Sequence, residues 1–223
     1  MSKKVDCWYK NVCTLQCTNS CIRYIEMNYL MEQAGIPKTQ QTPKVLSPVC
    51  ENDYKAFDRL NTIKNNITKF VWRGKNLYIN SEFTGNSKTS WALKLLMKYF
   101  DCIWSGNGLN VRGMFVHVPT LLQQLKDFDN PLGQEYIENI KNCDLVVWDD
   151  IAFGSKISNY DYNQLLILID TRILNERSNI YTSNITSKEK LTEVTDPRLA
   201  SRIYDTSEII TLYGKDGRGE FKK

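Results

Sequence analysis

Short apolar segments alternate with longer segments of helical periodicity through most of this 223-residue chain. Short strands that are apolar along their whole length are typical of parallel sheets covered by helices on both faces. We therefore expect an α/β fold with three layers and a parallel central sheet. The strands predicted on this basis are 76–80, 112–118, 145–148 and 179–183, and the predicted helices are 87–100, 119–128 and 162–175.

The first fifty residues have a different composition. Residues 1–35 hold four of the seven cysteines, followed by a helical run that ends at Gly35 and Pro37. Residues 36–50 contain three prolines and few apolar side chains, which is typical of an extended linker. We therefore predict a small Cys-rich N-terminal segment (1–35), a Pro-containing linker (36–50) and a main domain (51–223) that begins with a helix.

The composition is ordinary for a globular protein, at 42% hydrophobic and 24% charged residues. The sequence has no apolar run near the length of a membrane span and no signal-peptide pattern at its start. We therefore expect a cytoplasmic protein that makes no contact with membranes. The net charge of +4 permits nucleic-acid binding without requiring it.

Residues 81–90 read S-E-F-T-G-N-S-K-T-S and lie between a predicted strand and a predicted helix. This is the setting of the phosphate-binding P-loop, G-x-x-x-x-G-K-[ST], with Lys88 and Thr89 as its last two residues. The two glycines of the pattern are replaced by Glu82 and Ser87, although Gly85 lies between them. The residues predicted to bind phosphate are Thr84, Gly85, Asn86, Ser87, Lys88, Thr89 and Ser90.

A second acidic element supports a nucleotide site. The apolar strand L-V-V-W ends in Asp149 and Asp150, about 60 residues after Lys88, as in a Walker B segment. Thr89 and Asp149 are then the predicted Mg²⁺ ligands, and Asp150 is placed to polarise the attacking water. We predict ATP and Mg²⁺ binding from the two elements together, and leave hydrolysis open.

Two further elements lie closer to the C-terminus. Asn184 follows the strand at 179–183, where it is placed to contact the γ-phosphate or the attacking water. Arg198 and Arg202 are four residues apart and share one face of a predicted helix. Such arginines reach the γ-phosphate of a neighbouring subunit in oligomeric ATPases. The alternative is a solvated basic face.

The order G-x-S-K-T, V-V-W-D-D-I-A, Y-T-S-N and R-L-A-S-R-I resembles the AAA+ ATPases of the DnaC/DnaI type, the bacterial and phage helicase loaders. The resemblance covers residues 65–215. It implies a P-loop AAA+ core without a C-terminal lid, and a protein that uses ATP to deliver a replicative hexameric helicase to single-stranded DNA.

The resemblance also assigns roles to individual residues. It implies that Asn184 is the sensor and that Arg202, and less directly Arg198, is the finger through which copies associate. Glu82, Ser87 and Asp150 depart from the family pattern, which leaves weak or absent hydrolysis open. A short, divergent chain of this kind fits a phage-encoded version acting in the cytoplasm of a bacterial host.

The cysteines at the N-terminus are closely spaced. Cys7, Cys13, Cys17 and Cys21 supply four thiols at gaps near those of tetrahedral zinc sites. We predict Zn²⁺, with an iron–sulfur cluster as the less favoured alternative and simple burial of some thiols as another. The resemblance implies that this segment is a reduced counterpart of the zinc-bearing, helicase-binding domain of DnaI-like loaders.

Other functions remain open from the sequence. They are a transposition-type AAA+ helper, a non-hydrolysing helicase-binding adaptor with a degenerate P-loop, and a small-molecule kinase, which the lack of an evident lid disfavours. Segments 64–75 and 104–113 combine cations with aromatic residues, as single-strand contacts do. The alternatives are an adenine-side strap for the first segment, which we favour, and a surface loop for the second. His117, the one histidine, lies in an apolar strand, and we predict a structural role for it.

Overall fold

The computed structural model describes residues 7–9, 13–18, 20–41, 44–106, 110–124, 131–152 and 159–215. Five strands and nine α-helices lie in this part of the chain. The strands are β1 Asn76–Asn80, β2 Gly113–His117, β3 Leu145–Asp149, β4 Ser178–Ser183 and β5 Ser207–Thr211. The helices are α1 Ile22–Gln33, α2 Asp53–Asn65, α3 Ile67–Trp72, α4 Lys88–Ile103, α5 Val118–Gln124, α6 Pro131–Asn142, α7 Asn159–Leu174, α8 Lys188–Val194 and α9 Pro197–Tyr204.

All five strands are parallel and lie in the order β2-β3-β4-β1-β5. The carboxyl ends of parallel strands meet at one edge of a sheet. The loops after β1, β3 and β4 therefore leave the sheet side by side. Strands β2, β3 and β4 lie on one side of β1, and β5 lies on the other. Ligands of open α/β sheets bind where the strand order changes direction in this way.

Helices cover both faces of the sheet, as the alternation in the sequence predicts. Leu77 and Ile79 of β1 point to one face, into a hydrophobic cluster with α1 to α4. Tyr78 points to the other face, into a second cluster with α5 to α9. The expected three-layer core around a parallel sheet is therefore confirmed.

The N-terminal helix packs against this core. Met27, Leu30 and Met31 of α1 are buried in the same cluster as α4. The backbone N–H of Phe115 in β2 donates to the carbonyl of Ala34 (2.7 Å). The end of α1 therefore pairs with a backbone group of an edge strand that would otherwise lack a partner. The division at 35 and 50 stays a prediction, but α1 contributes to the core of the main domain.

The structure adds elements that the sequence analysis did not predict. β5 has no all-apolar pattern, because it is an edge strand and most of its side chains are half exposed. α6 has a mostly polar sequence, with Gly133 and Ile140 its buried residues. No helix in the described ranges is long and apolar enough to cross a membrane. The C-terminal residues 216–223 lie outside the described residues, and the absence of a C-terminal lid stays a prediction.

A buried arginine ties the sheet to the helices on one face. The Arg172 side chain of α7 is fully buried and donates to the carbonyls of Ile140 (2.5 Å), Cys143 (2.9 Å) and Ser178 (2.6 Å). It also donates to Oδ1 of Asn179 (2.7 Å). Arg172 thereby satisfies acceptors at the end of α6 and at the start of β4, which the fold buries away from water.

Replacing Arg172 with leucine is expected to lower the free energy of unfolding by about 3 kcal/mol, because buried carbonyls lose their donor. Urea denaturation measures the change. Arg177→Leu is the matched control, since Arg177 pairs with Asp144 (2.9 Å) at a partly exposed position. The control is expected to lose at most about 1 kcal/mol. Equal losses in the two variants would contradict the assignment.

Candidate functional site

A cavity of about 930 Å³ opens at the carboxyl ends of the strands. Its volume lies within the range of small-molecule sites, roughly 300–1,000 Å³. One side of it is formed by the segment before α2, including residues 44–49. The other side brings together the predicted nucleotide-binding residues, namely Thr84, Gly85, Asn86, Ser87, Lys88, Thr89, Ser90, Asp149, Asp150 and Asn184.

The loop between β1 and α4 has the backbone shape of a phosphate loop. Gly85 has a φ of 76° and Ser87 a φ of 72°, both in the left-handed region. Ser87 stands at a glycine position of the pattern and adopts the conformation that glycine takes freely. It is also the N-cap of α4, and its side chain caps no backbone N–H. The N-cap side chain therefore does not occupy the backbone N–H groups at the start of α4, and phosphate is attracted to such helix N-termini.

Lys88 lies at the floor of this loop. Its side chain is buried, and its Nζ donates to the carbonyl of Phe83 (2.8 Å) and to Oδ1 of Asn86 (3.2 Å). Asn86 in turn donates to Oγ of Ser81, the residue that follows β1. These bonds hold the ammonium group within the loop, where a phosphate would gain a charge-assisted partner.

Asp149 joins the loop to two strands. It ends β3, and its Oδ1 accepts from Oγ1 of Thr89 (2.8 Å) and from Oγ1 of Thr182 in β4 (2.7 Å). Burial raises the pKa of Asp149, and the two hydroxyl bonds act against that rise. Thr182 also accepts from the backbone N–H of Asp150 (3.1 Å). Sequence reasoning missed Thr182, since the strand pattern gives no sign that it faces the end of β3.

These residues fit ATP and Mg²⁺. Thr89 and Asp149, already in contact, offer a hydroxyl and a carboxylate, which are the hard oxygen ligands that Mg²⁺ takes. The loop and Lys88 would hold the phosphates. When bound there, Mg²⁺ supplies charge neutralisation of the phosphate oxygens.

Three further polar residues, His117, Asp150 and Asn184, lie at the same carboxyl edge of the sheet as Asp149. Asp150 has a φ of 55°, and its half-exposed carboxylate lies 3.8 Å from Nε2 of His117. Asn184 is exposed and lines the same cavity. His117, for which we predicted a structural role, ends β2 beside Asp149 of β3 and is 44% exposed. Its role stays a prediction.

The acidic residue that replaces the first glycine points away from the loop. Glu82 is 62% exposed, and its Oε1 lies 3.5 Å from Oγ1 of Thr186 and 3.9 Å from Nζ of Lys190. It does not line the cavity. The carboxylate therefore lies beside a cation on α8, outside the space that the phosphates would occupy.

The two arginines are on α9, outside this cavity. They line a smaller cleft with Asp170 and Pro197. Nε of Arg202 donates to Oδ1 of Asp170 (2.5 Å), and the backbone N–H of Arg198 is capped by Asp196. Neither arginine reaches the loop of its own chain, so a finger role requires a second copy. That role stays a prediction.

The structure does not gather the four N-terminal cysteines. Cys7, Cys13, Cys17 and Cys21 form no disulfide and are half-buried, and Cys7 and Cys13 pack against the core. Over the described ranges, the one group with three potential ligand atoms within 4.8 Å is His117, Asp149 and Asp150. Zinc or an iron–sulfur cluster at the cysteines gains no support from this arrangement and stays a prediction.

Solved structures of helicase loaders and of a replication initiator are similar in fold to this chain. The crystal structure of the DnaC helicase loader matches with a TM-score of 0.63 at 20% identity, over 74% of this chain and 93% of that one. The fold is that of the DnaC and DnaI helicase loaders. DnaI matches with a TM-score of 0.61 at 19% identity, over 79% of this chain and 94% of that one.

A nucleotide-bound structure is also similar. DnaA from Aquifex aeolicus, bound to AMPPCP, matches with a TM-score of 0.58 at 20% identity, over 77% of this chain and 50% of that one. The AAA+ fold predicted from the sequence motifs is therefore confirmed. No protein-family model matches the sequence, and no curated protein matches it.

Ser87→Gly is expected to raise the free energy of unfolding by about 1 kcal/mol, because glycine relieves the left-handed conformation. Chemical denaturation measures this, and calorimetry should show ATP binding no weaker than in the parent. Glu176→Gly is the control, since Glu176 has a φ of 53° and lies at the opposite edge of the sheet. It should give a similar gain. Destabilisation by Ser87→Gly would contradict this account.

Asp149→Asn is expected to stabilise the ligand-free protein at neutral pH. The folded pKa of Asp149 is raised above its unfolded value of about 3.9, so its ionisation costs stability as pH rises through that window. The variant's advantage in melting temperature should therefore vanish at low pH.

The same variant should bind nucleotide in the presence of Mg²⁺ at least about tenfold more weakly than the parent. Mutating residues that only support a metal ligand already costs about that much, so losing a ligand should cost no less. Thermal unfolding against pH and calorimetry with Mg²⁺ and ATP measure the two effects. A variant that binds Mg²⁺–ATP like the parent would contradict the assignment of Asp149 as a ligand.

Proposed function

We propose that this protein is an ATP-binding loader of a replicative hexameric helicase, acting in the cytoplasm. One observation carries the proposal. Lys88, Thr89 and Asp149 come together at the carboxyl ends of β1 and β3 in a chain with the fold of the helicase loaders. The nucleotide is proposed as the switch that changes the loader's affinity for its partner.

The positions of the two residues that replace the P-loop glycines are compatible with nucleotide binding. Ser87 adopts the glycine-like conformation, and Glu82 lies outside the cavity. Hydrolysis is proposed to be slow. Asp150 and Asn184 both line the cavity and are the candidates to orient water, but Asp150 is partly turned toward His117.

The partners follow from the same proposal. We propose that residues 1–35 bind the helicase and that the protein helps to deliver the helicase to single-stranded DNA. We further propose that copies of the chain associate through Arg202 and Arg198 on the exposed part of α9. The likeness in fold to the DnaC and DnaI loaders supports the proposal of a helicase partner. The similarity to DnaA bound to AMPPCP and single-stranded DNA supports the proposal of a DNA partner. Zinc at the N-terminal cysteines is part of the proposal without structural support.

Lys88→Ala is expected to weaken ATP binding by about thirtyfold or more, since removing a buried charged partner costs about 2 kcal/mol or more. Calorimetry with Mg²⁺ and ATP measures the loss. Lys75→Ala, an exposed lysine just before β1 and at the opposite edge of the sheet, is the matched control and should bind ATP normally.

The same two variants test the loader function. Co-purification with the host's replicative helicase in the presence of ATP should succeed for the parent and for Lys75→Ala, and should fail or weaken for Lys88→Ala. A protein that binds ATP but captures no helicase would contradict the loader proposal and favour the transposition-type helper. Helicase capture unaffected by Lys88→Ala would instead favour the non-hydrolysing adaptor.

A further inference from the structure

The cavity at the strand ends extends well beyond the phosphate loop. Its far end is lined by Trp8, by the strap (residues 44–49, just before α2) and by Leu93 and Met97 of α4. Val45, Leu46, Pro48 and Val49 of the strap are apolar. The cavity therefore has a polar end, with Lys88 and Asp149, and a mainly apolar end that contains an indole ring. Gln40, Lys44, Ser47 and Lys94 also line this apolar end.

The apolar end also contains an unused polar atom. Oε1 of Gln40 is buried and accepts no hydrogen bond from any residue that the structure describes. Gln40 lines the cavity beside the strap. A buried amide without a partner is costly, and a ligand edge with N–H groups would satisfy it.

Both walls of the apolar end are tied to α4. Nζ of Lys94 donates to the carbonyl of Lys44 at the start of the strap (3.0 Å). The Tyr9 hydroxyl, next to Trp8, donates to Oδ1 of Asp101 near the end of α4 (2.8 Å).

The second of these ties is reinforced by charge. Arg23 of α1 lies over the Tyr9 ring at 3.5 Å and also donates to Asp101 (3.2 Å). Burial would raise the pKa of Asp101, but hydrogen bonds from Lys98, Tyr9 and Arg23 outweigh it and hold that pKa below its usual value. The carboxylate that holds residues 7–9 therefore stays charged.

We propose that Trp8, Gln40 and the strap form the base-binding end of the nucleotide site, with the Trp8 ring packed on an adenine base. The inference rests on the proposed function, because it needs a nucleotide whose phosphates lie at Lys88. Stacking of a base on an aromatic ring contributes about 1–3 kcal/mol, and the Gln40 amide faces the hydrogen-bonding edge of the base.

This arrangement makes the N-terminal segment part of the nucleotide site. Trp8 lies one residue from Cys7, within the segment assigned to helicase binding. A helicase that binds this segment and keeps residues 7–9 on α4 would preserve one wall of the site and raise ATP affinity. By linkage, ATP would raise the helicase's affinity to the same degree.

The test compares a probe with a base and a probe without one. The full chain and its variants are titrated with Mg²⁺–ATP and with Mg²⁺–tripolyphosphate by calorimetry. Trp8→Ala should weaken ATP binding by about tenfold or more and leave tripolyphosphate binding unchanged. Trp8→Phe should stay within a few-fold of the parent for both probes. Lys88→Ala should weaken both.

Trp72→Ala is the matched control, because Trp72 is 75% exposed and does not line the cavity. It should bind both probes normally. Thermal unfolding without nucleotide shows whether each variant is folded. ATP should also change the tryptophan fluorescence of the parent and of Trp72→Phe, and most of that change should be lost in Trp8→Phe.

The inference is overturned if Trp8→Ala binds ATP like Trp72→Ala, or if it loses both probes in parallel. Either result leaves the proposed function in place, provided that the parent binds ATP and Lys88→Ala does not. A parent that binds neither probe removes the proposed function and this inference together.

Discussion

The hydrogen bonds to Asp149 hold the candidate site together. One carboxylate oxygen accepts from Thr89 at the start of α4 and from Thr182 in β4, so the ends of β3, β4 and the P-loop helix meet at a single atom. This contact is possible because the sheet order places β4 between β1 and β3. The sheet topology thus brings the carboxylate of Asp149 to Thr89 and Lys88, although Asp149 follows Thr89 by 60 residues along the chain.

The site is built at a cost in local stability. Ser87 adopts a backbone conformation that a side chain disfavours, Lys88 is a buried cation, and burial raises the pKa of Asp149. Each of these features favours an anion or a metal ion and opposes the folding of the empty protein. Functional sites commonly store strain in this way, and the packed helices on both faces maintain it.

Much of the core and of the phosphate end could be predicted from the sequence. β1 was predicted with its observed bounds, because a buried parallel strand is apolar throughout, and Lys88 and Asp149 follow from the order of two motifs. The remaining features depend on tertiary contacts that leave no local pattern. β5 is a half-exposed edge strand, Glu82 is turned toward Lys190 by the position of α8, and Trp8 and Gln40 reach the cavity only after the chain has packed on α4.

α4 connects the parts of the molecule that matter for function. Thr89 at its start contacts Asp149, Lys94 in its middle holds the strap, and Asp101 near its end holds Tyr9. The candidate phosphate loop at one end of the helix and Tyr9 of the N-terminal segment at the other are therefore both attached to α4. The missing glycines matter less than this attachment, since Ser87 supplies the backbone conformation and Glu82 stays outside the cavity. A pattern search that requires two glycines fails on this chain, whereas the geometry that those glycines usually provide is retained.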